Sequence, residues 1–127
     1  MTRDRAVGIG LAVLAIEQLA LAAYMAFAPA SFFARIGPFG VLNEHYVRDV
    51  ATFTAALGIV ALIAVRREAW RAPVLAVAGA QYLLHTVNHA VDAGEADPRS
   101  TGVILAVGLA LATVLLGVGL RLTRRRA

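Results

Sequence analysis

Four long apolar blocks, each close to the length of a membrane crossing, constrain this chain more than any motif it carries. They fall at about residues 6–28, 44–65, 73–92 and 102–122. A helix needs roughly 20 apolar residues to cross a hydrocarbon core of about 30 Å, whereas a barrel strand needs only about 9–11. The blocks also lack sustained two-residue alternation, so they read as helices. The expected fold is all-α: one four-helix transmembrane bundle over residues 1–127, with the N and C termini cytoplasmic. Composition agrees, because 60% of the 127 residues are hydrophobic, above the roughly 45–50% of soluble domains. Four spans use up these residues and leave no separate soluble domain among them. There is no cysteine, which removes disulfides, thiolate metal sites and thiol nucleophiles.

Charge placement sets the expected orientation. All 12 basic residues are arginine, and with the heavy Ala, Val and Gly usage this reads as the coding bias of a high-GC genome. Arg3, Arg5, Arg66, Arg67, Arg71, Arg121, Arg124, Arg125 and Arg126 flank the spans on one side. Arg35, Arg48 and Arg99 lie on or near the other. The positive-inside rule puts the larger group in the cytoplasm, and an even number of spans returns the chain to its starting side. The expected location is the plasma membrane, multi-pass, with the bilayer as partner. The net charge of +4 is therefore read as topology and lipid-headgroup contact, not as a nucleic-acid surface. The start of the chain also resembles a secretory signal ending at Ala26-Phe27-Ala28. Its apolar stretch is too long for a signal core and contains Glu17-Gln18, so a retained span is preferred.

Interface anchors fit this arrangement. Trp70 marks the inner boundary, and Tyr24 and Tyr46 the outer one. The outer loop carries Phe32, Phe33, Ile36 and Phe39 and is expected to lie along the membrane surface as a short amphipathic piece or re-entrant turn. Pro29, Gly37, Pro38 and Gly40 limit its length. Asn43 before Glu44 is an N-cap signal for the second span. In the fourth span, Gly108, Gly117 and Gly119 with Ala106, Ala110 and Ala112 make a smooth face that would suit a homo-oligomer.

Membrane-buried polarity is concentrated in two segments of the outer half, Asn43–Asp49 and Gln81–Asp92, with Glu17 near mid-membrane. On the third span Gln81, His85, Asn88 and Asp92 recur at helical spacing, with His89 on the edge of that stripe. On the second span His45, Asp49 and Thr52 share a face flanked by Arg48. On the first, Glu17 and Tyr24 share a face. Lipid cannot solvate such groups, at roughly 2.5–3.5 kcal/mol per central charge, so the stripes are expected to face one another.

Four readings of that cluster follow. His45, Asp49, His85 and His89 form two facing four-residue-spaced pairs that could ligate Zn, Fe, Mn or Cu, with Glu44 or Asp92 supporting, although Arg48 would stand close to the ion. Haem would need axial histidines on different helices, such as His45 with His85 or His89, and the first and fourth spans supply none. A purely structural network would pair Arg48 with Glu44, Asp49 or Asp92, and Glu17 with Gln81 or Tyr82, and would only fix helix packing, as in an accessory membrane subunit. A binding or catalytic pocket for a small polar or amphipathic ligand, such as a lipid headgroup or quinone, would use Arg48, Glu17, Asn88 and Asp92. His85 or His89 would exchange its proton, under a roof of Phe32 and Phe33. Transport through a single copy of four helices leaves little room for a path.

The run Pro29-Ala30-Ser31-Phe32-Phe33, then Gly37-Pro38, then Asn43-Glu44-His45-Tyr46-Val47-Arg48-Asp49 resembles a family of small four-span bacterial membrane proteins, broadly similar to DoxX-like proteins. In that family an Asn-Glu-His-x-x-Arg-Asp segment opens the second helix and a histidine pair ends the third, here His85 and His89. The resemblance covers about the first ninety residues and is most specific at Asn43–Asp49. It implies a fold and a site position but no reaction; a link to quinone or oxidoreductase chemistry is an analogy of fold alone.

Overall fold

A computed structural model describes residues 2–124, so the terminal Arg125 and Arg126 lie outside the described residues. The described chain is all-α, with five helices: α1 (Arg3–Phe27), α2 (Pro29–Arg35), α3 (Glu44–Arg66), α4 (Glu68–Val91) and α5 (Arg99–Arg124). Three of these, α1, α3 and α5, are long and apolar enough to cross a membrane. The third apolar block is the exception. Its helix α4 has 24 residues, ample length, but Gln81, His85, Asn88 and His89 dilute its apolar character below that of the other three.

The helix ends have local causes. Asn43 caps α3 as expected, its Oδ1 accepting from the Tyr46 amide at 3.1 Å, which satisfies one of the free amides of the first turn. Pro29 opens α2 at a position where a missing N–H costs nothing. α4 begins at Glu68 rather than near Pro73, which lies inside the helix and forfeits the one ladder bond its missing N–H would have made to Ala69. The turn before it is stapled by Arg71. Its guanidinium donates to the Ala64 and Val65 carbonyls, each at 3.3 Å, and lies 3.8 Å from Asp4 and 3.6 Å from Glu68. Those carbonyls are the free acceptors that end α3.

Packing sorts the long helices into two pairs. α1 lies along α3, α4 lies along α5, and the pairs meet chiefly through α3 and α4. Gly58 permits the α1–α3 approach, since a Cβ there would stand 2.8 Å from Leu19 Cγ and 3.1 Å from the Leu19 backbone nitrogen; close approach at small residues is a common way membrane helices gain contact. The core runs through Leu11, Leu14 and Ala15 of α1, Leu57 and Ala61 of α3, and Leu75 and Ala78 of α4. α5 contributes only partly buried side chains, among them Leu109, Leu116 and Leu120. Its Thr113 hydroxyl meets Thr86 of α4 at 3.2 Å. The outward faces are apolar: Ile16, Ile59, Val77, Leu84, Ile104 and Val114 are all more than half exposed. Exposure of this extent on soluble proteins marks an interaction surface, and with three span-length helices it marks a membrane protein.

The ring of four long helices closes least well between α1 and α5, and the gap opens into two cavities. At one end, α2 and the segment to α3 fold over the bundle. Phe39 pairs with Ala96 in an isolated antiparallel bridge, the Asp97 amide donates to the Pro38 carbonyl at 3.2 Å, and Gly40 takes a positive φ of 64°, which a residue without Cβ adopts at little cost.

Candidate ligand cavity

The cavity beneath that cover has a volume of about 420 Å³. Its polar wall comes chiefly from α1 and α4, through Glu17, Gln18, Gln81, Tyr82, His85 and His89, with Asn43, Tyr46 and Thr54 added from α3 and its cap. Phe32, Phe33, Ile36 and Phe39 roof it, and Val50, Phe53 and Leu105 complete the sides. Tyr24 braces the roof, with its hydroxyl 2.8 Å from Ser31 Oγ and its ring edge-on to Phe32 at 5.8 Å.

The floor is a closed triad. Tyr82 Oη donates to Glu17 Oε2 at 2.7 Å. The Gln18 amide donates to the same carboxylate oxygen at 2.8 Å and to Tyr82 Oη at 2.9 Å. Gln18 and Tyr82 are buried, 5% and 7% exposed. Adjacent residues on a helix point about 100° apart, so Glu17 and Gln18 reach the same tyrosine from either side. Of the two partners expected for Glu17, Tyr82 is the one it meets.

The upper wall is less complete. His85 Nε2 and His89 Nε2 lie 3.0 Å apart, one donating and the other accepting, with ring centroids 4.6 Å apart. Phe39 sets its ring perpendicular to His89 at 4.9 Å and holds it in place. Two polar atoms are then left over: Gln81 Oε1 and His89 Nδ1 are buried without a hydrogen-bond partner. The amide oxygen is an acceptor. Nδ1 is a donor or an acceptor according to which histidine shares its Nε2 proton. A buried group in this state costs about 1–3 kcal/mol until something pairs with it.

The second polar segment is split: Asn43, Tyr46 and Val47 line the cavity, whereas its charged side chains stand elsewhere. Arg48 donates to Glu44 Oε2 at 2.8 Å along its own helix, and His45 Nε2 lies 3.5 Å from Asp49 Oδ2 one turn apart. All four side chains are exposed, and none lines the cavity. Asn88 is exposed on another side of α4, and Asp92 sits at its C-cap. Of the residues singled out from sequence, Glu17, His85 and His89 meet in the cavity. His45, Arg48, Asp49, Asn88 and Asp92 do not join them. Among the described residues no group of three or more His, Asp or Glu side chains is placed to hold a metal ion. Gln18, Gln81 and Tyr82 carry more of the site than their residue types suggested. The available signal was an amide or phenol in the middle of an otherwise apolar helix.

A second cavity, of about 450 Å³, continues toward the start of α1 and the end of α5. No protein-family description, curated protein or solved structure matches this chain.

Proposed function

We propose that this chain is a four-span plasma-membrane protein, termini cytoplasmic, whose outer-half cavity binds an uncharged amphiphile through hydroxyl or carbonyl groups of its headgroup. α4 supplies the fourth span. Its 24 residues rise about 36 Å, more than the roughly 30 Å of a hydrocarbon core, and its polar residues are tolerable at that depth because most of them turn to a cavity instead of lipid. The arginines at the start of α1, around the α3–α4 turn and at the end of α5 favour the cytoplasm for that end.

The observation that carries the reading is the cavity itself, an apolar roof of Phe32, Phe33 and Phe39 over a polar wall that includes Glu17, Gln81 and His89, with two unpartnered atoms, Gln81 Oε1 and His89 Nδ1, closed off inside that wall. They ask for a hydroxyl that donates and, in one tautomer, a group that accepts. No arginine lines the cavity and one carboxyl does, so an anionic phosphate finds no counter-charge there. A neutral headgroup pairs with both atoms once rotation of the Gln81 amide and the His89 ring turns them toward the cavity, and the apolar roof covers the carbon skeleton beside it. Acylglycerols and alkylated quinols share this chemistry.

Native mass spectrometry of the purified chain in phosphatidylcholine nanodiscs tests the reading. A monoacylglycerol, an alkyl hydroquinone and phosphatidic acid are offered separately to wild type, Gln81→Leu and His89→Leu. The expected result is an adduct with one or both neutral probes, weakened about tenfold in each variant by loss of a buried hydrogen bond. Equal retention in all three chains, or retention of phosphatidic acid alone, overturns it. The Glu17–Gln18–Tyr82 triad favours a second reading, in which buried polarity only ties α1 to α4. That reading predicts no adduct with any probe.

A further inference from the structure

The cavity floor is also the ceiling of the second cavity, since Glu17 and Tyr82 line both. Apart from these two residues the lower groove is wholly apolar, with Val7, Gly10 and Leu14 of α1 facing Leu115, Gly119 and Leu122 of α5. We propose that the two cavities are one site, and that the lower groove holds the hydrocarbon tail of the amphiphile whose headgroup sits above. The inference rests on the headgroup reading given above.

Three observations commit the groove to this occupant. It adjoins the polar cavity across two shared residues, so a chain leaving the headgroup would pass over exposed Glu17, beside the Tyr82–Glu17 hydrogen bond of 2.7 Å. That bond stands where head gives way to tail, at the depth of the only polar groups shared by the two cavities. The groove is notched by small residues: Gly10, Ala112 and Gly119 line it, and a Cβ at Gly10 would meet nothing within 4 Å. A volume of about 450 Å³ is of the order of one hydrocarbon chain and far less than a whole helix of about 10 Å diameter. From Glu17 to Ala6 the groove follows α1 for about 16 Å, room for an extended tail and not merely a headgroup. The bound molecule would have the polarity of an outer-leaflet lipid but sit deeper, its tail passing the bilayer midplane.

The test uses the full chain in phosphatidylcholine nanodiscs and a long-chain monoacylglycerol carrying a photoreactive group at the chain end. Cross-links are mapped by mass spectrometry. The expected labels fall on Val7, Leu115 or Leu122, are displaced by unlabelled probe, and drop about tenfold in Gly10→Phe, whose ring overpacks the groove. Gly8→Phe is the control: a Cβ there also meets open space, and Gly8 does not line the groove. A short-chain monoacylglycerol that reaches only the upper cavity should be retained equally by wild type and Gly10→Phe. If the short probe binds but the tail labels fall on Val50 or Leu105, or on lipid-facing Ile16 and Leu84 without displacement, the shared site is refuted and the headgroup reading survives. If neither the short-chain monoacylglycerol nor a short-chain alkyl hydroquinone is retained by wild type, the headgroup reading itself fails. If only the hydroquinone is retained, the headgroup reading survives and the same cross-link is made with an alkyl hydroquinone carrying the photoreactive group at its chain end. The chain has no cysteine, so an efficient disulfide between two copies of Gly10→Cys would show that a second protein copy fills the groove and would overturn the proposal.

Discussion

The opening of α3 and the second half of α4 are built from the same device, polar side chains one helical turn apart, and meet opposite fates. On α3, Glu44 reaches Arg48 and His45 reaches Asp49; each group finds its partner on its own helix and stays exposed. On α4, His85 and His89 also find each other, but the turn below them leaves Gln81 Oε1 unpaired and His89 keeps a free Nδ1. Spacing of four residues guarantees a neighbour along the helix. It says nothing about convergence with another helix. What separates the regions is what stays unpaired: on α4 His85 is exposed, but Gln81 and His89 are half-buried and each keeps an unpartnered atom, whereas the four charged α3 side chains are exposed and paired with one another. Polarity that is buried and incompletely paired is where a ligand is worth most.

The comparison breaks first at the floor. Tyr82→Phe removes the hydroxyl that donates to Glu17 and accepts from Gln18. Thermal unfolding in detergent should show a loss of about 1–2 kcal/mol, the upper range for one hydrogen-bonded group between membrane helices. A change no larger than that of a surface substitution would mean that the triad does not hold α1 to α4. One turn up the sign should reverse. Gln81→Leu replaces an amide whose oxygen has no partner, so without ligand it should leave stability unchanged or raise it by up to about 1 kcal/mol while weakening adduct formation about tenfold. Destabilisation comparable to that of Tyr82→Phe would show that Gln81 is already satisfied and that the cavity asks for nothing.

Much of the fold could be read from apolar block lengths, because span length and helix rise are fixed by the same physics. The starts and ends of α1, α3 and α5 fall within a few residues of the expected positions. The start of α4 did not, because proline usually marks a first turn whereas Pro73 lies inside α4, and Arg71 stabilises the preceding turn through the Ala64 and Val65 carbonyls, contacts no local pattern records. The site was half legible. The His85–His89 pair and the Glu17–Tyr82 contact follow from residue types and periodicity. Which edge of α4 faces inward does not follow. Gln81, His85, Asn88 and Asp92 make as regular a stripe as Gln81, His85 and His89, and contacts such as the edge of Phe39 against His89, fifty residues apart in the chain, accompany the second. The outward placement of Arg48 was equally hidden, since a charge that can pair along its own helix needs no second helix.

The smallest expected effect is the most useful check on that last point. Arg48→Ala deletes an exposed pair whose side chains are 50% and 46% exposed. Exposed pairs four residues apart contribute about 0.3–0.5 kcal/mol, and because Glu44 lies in the first turn of α3 it keeps a favourable interaction with the helix N-terminus after Arg48 is gone. Chemical denaturation should therefore report a loss below about 0.5 kcal/mol at low salt, shrinking further as added salt screens the pair. Headgroup adducts should persist, since the guanidinium does not line the cavity. A loss of several kcal/mol would match an uncompensated buried charge instead. Together with a vanished adduct, it would mean that α3 turns this face toward α4 in the membrane and that the two regions form one site.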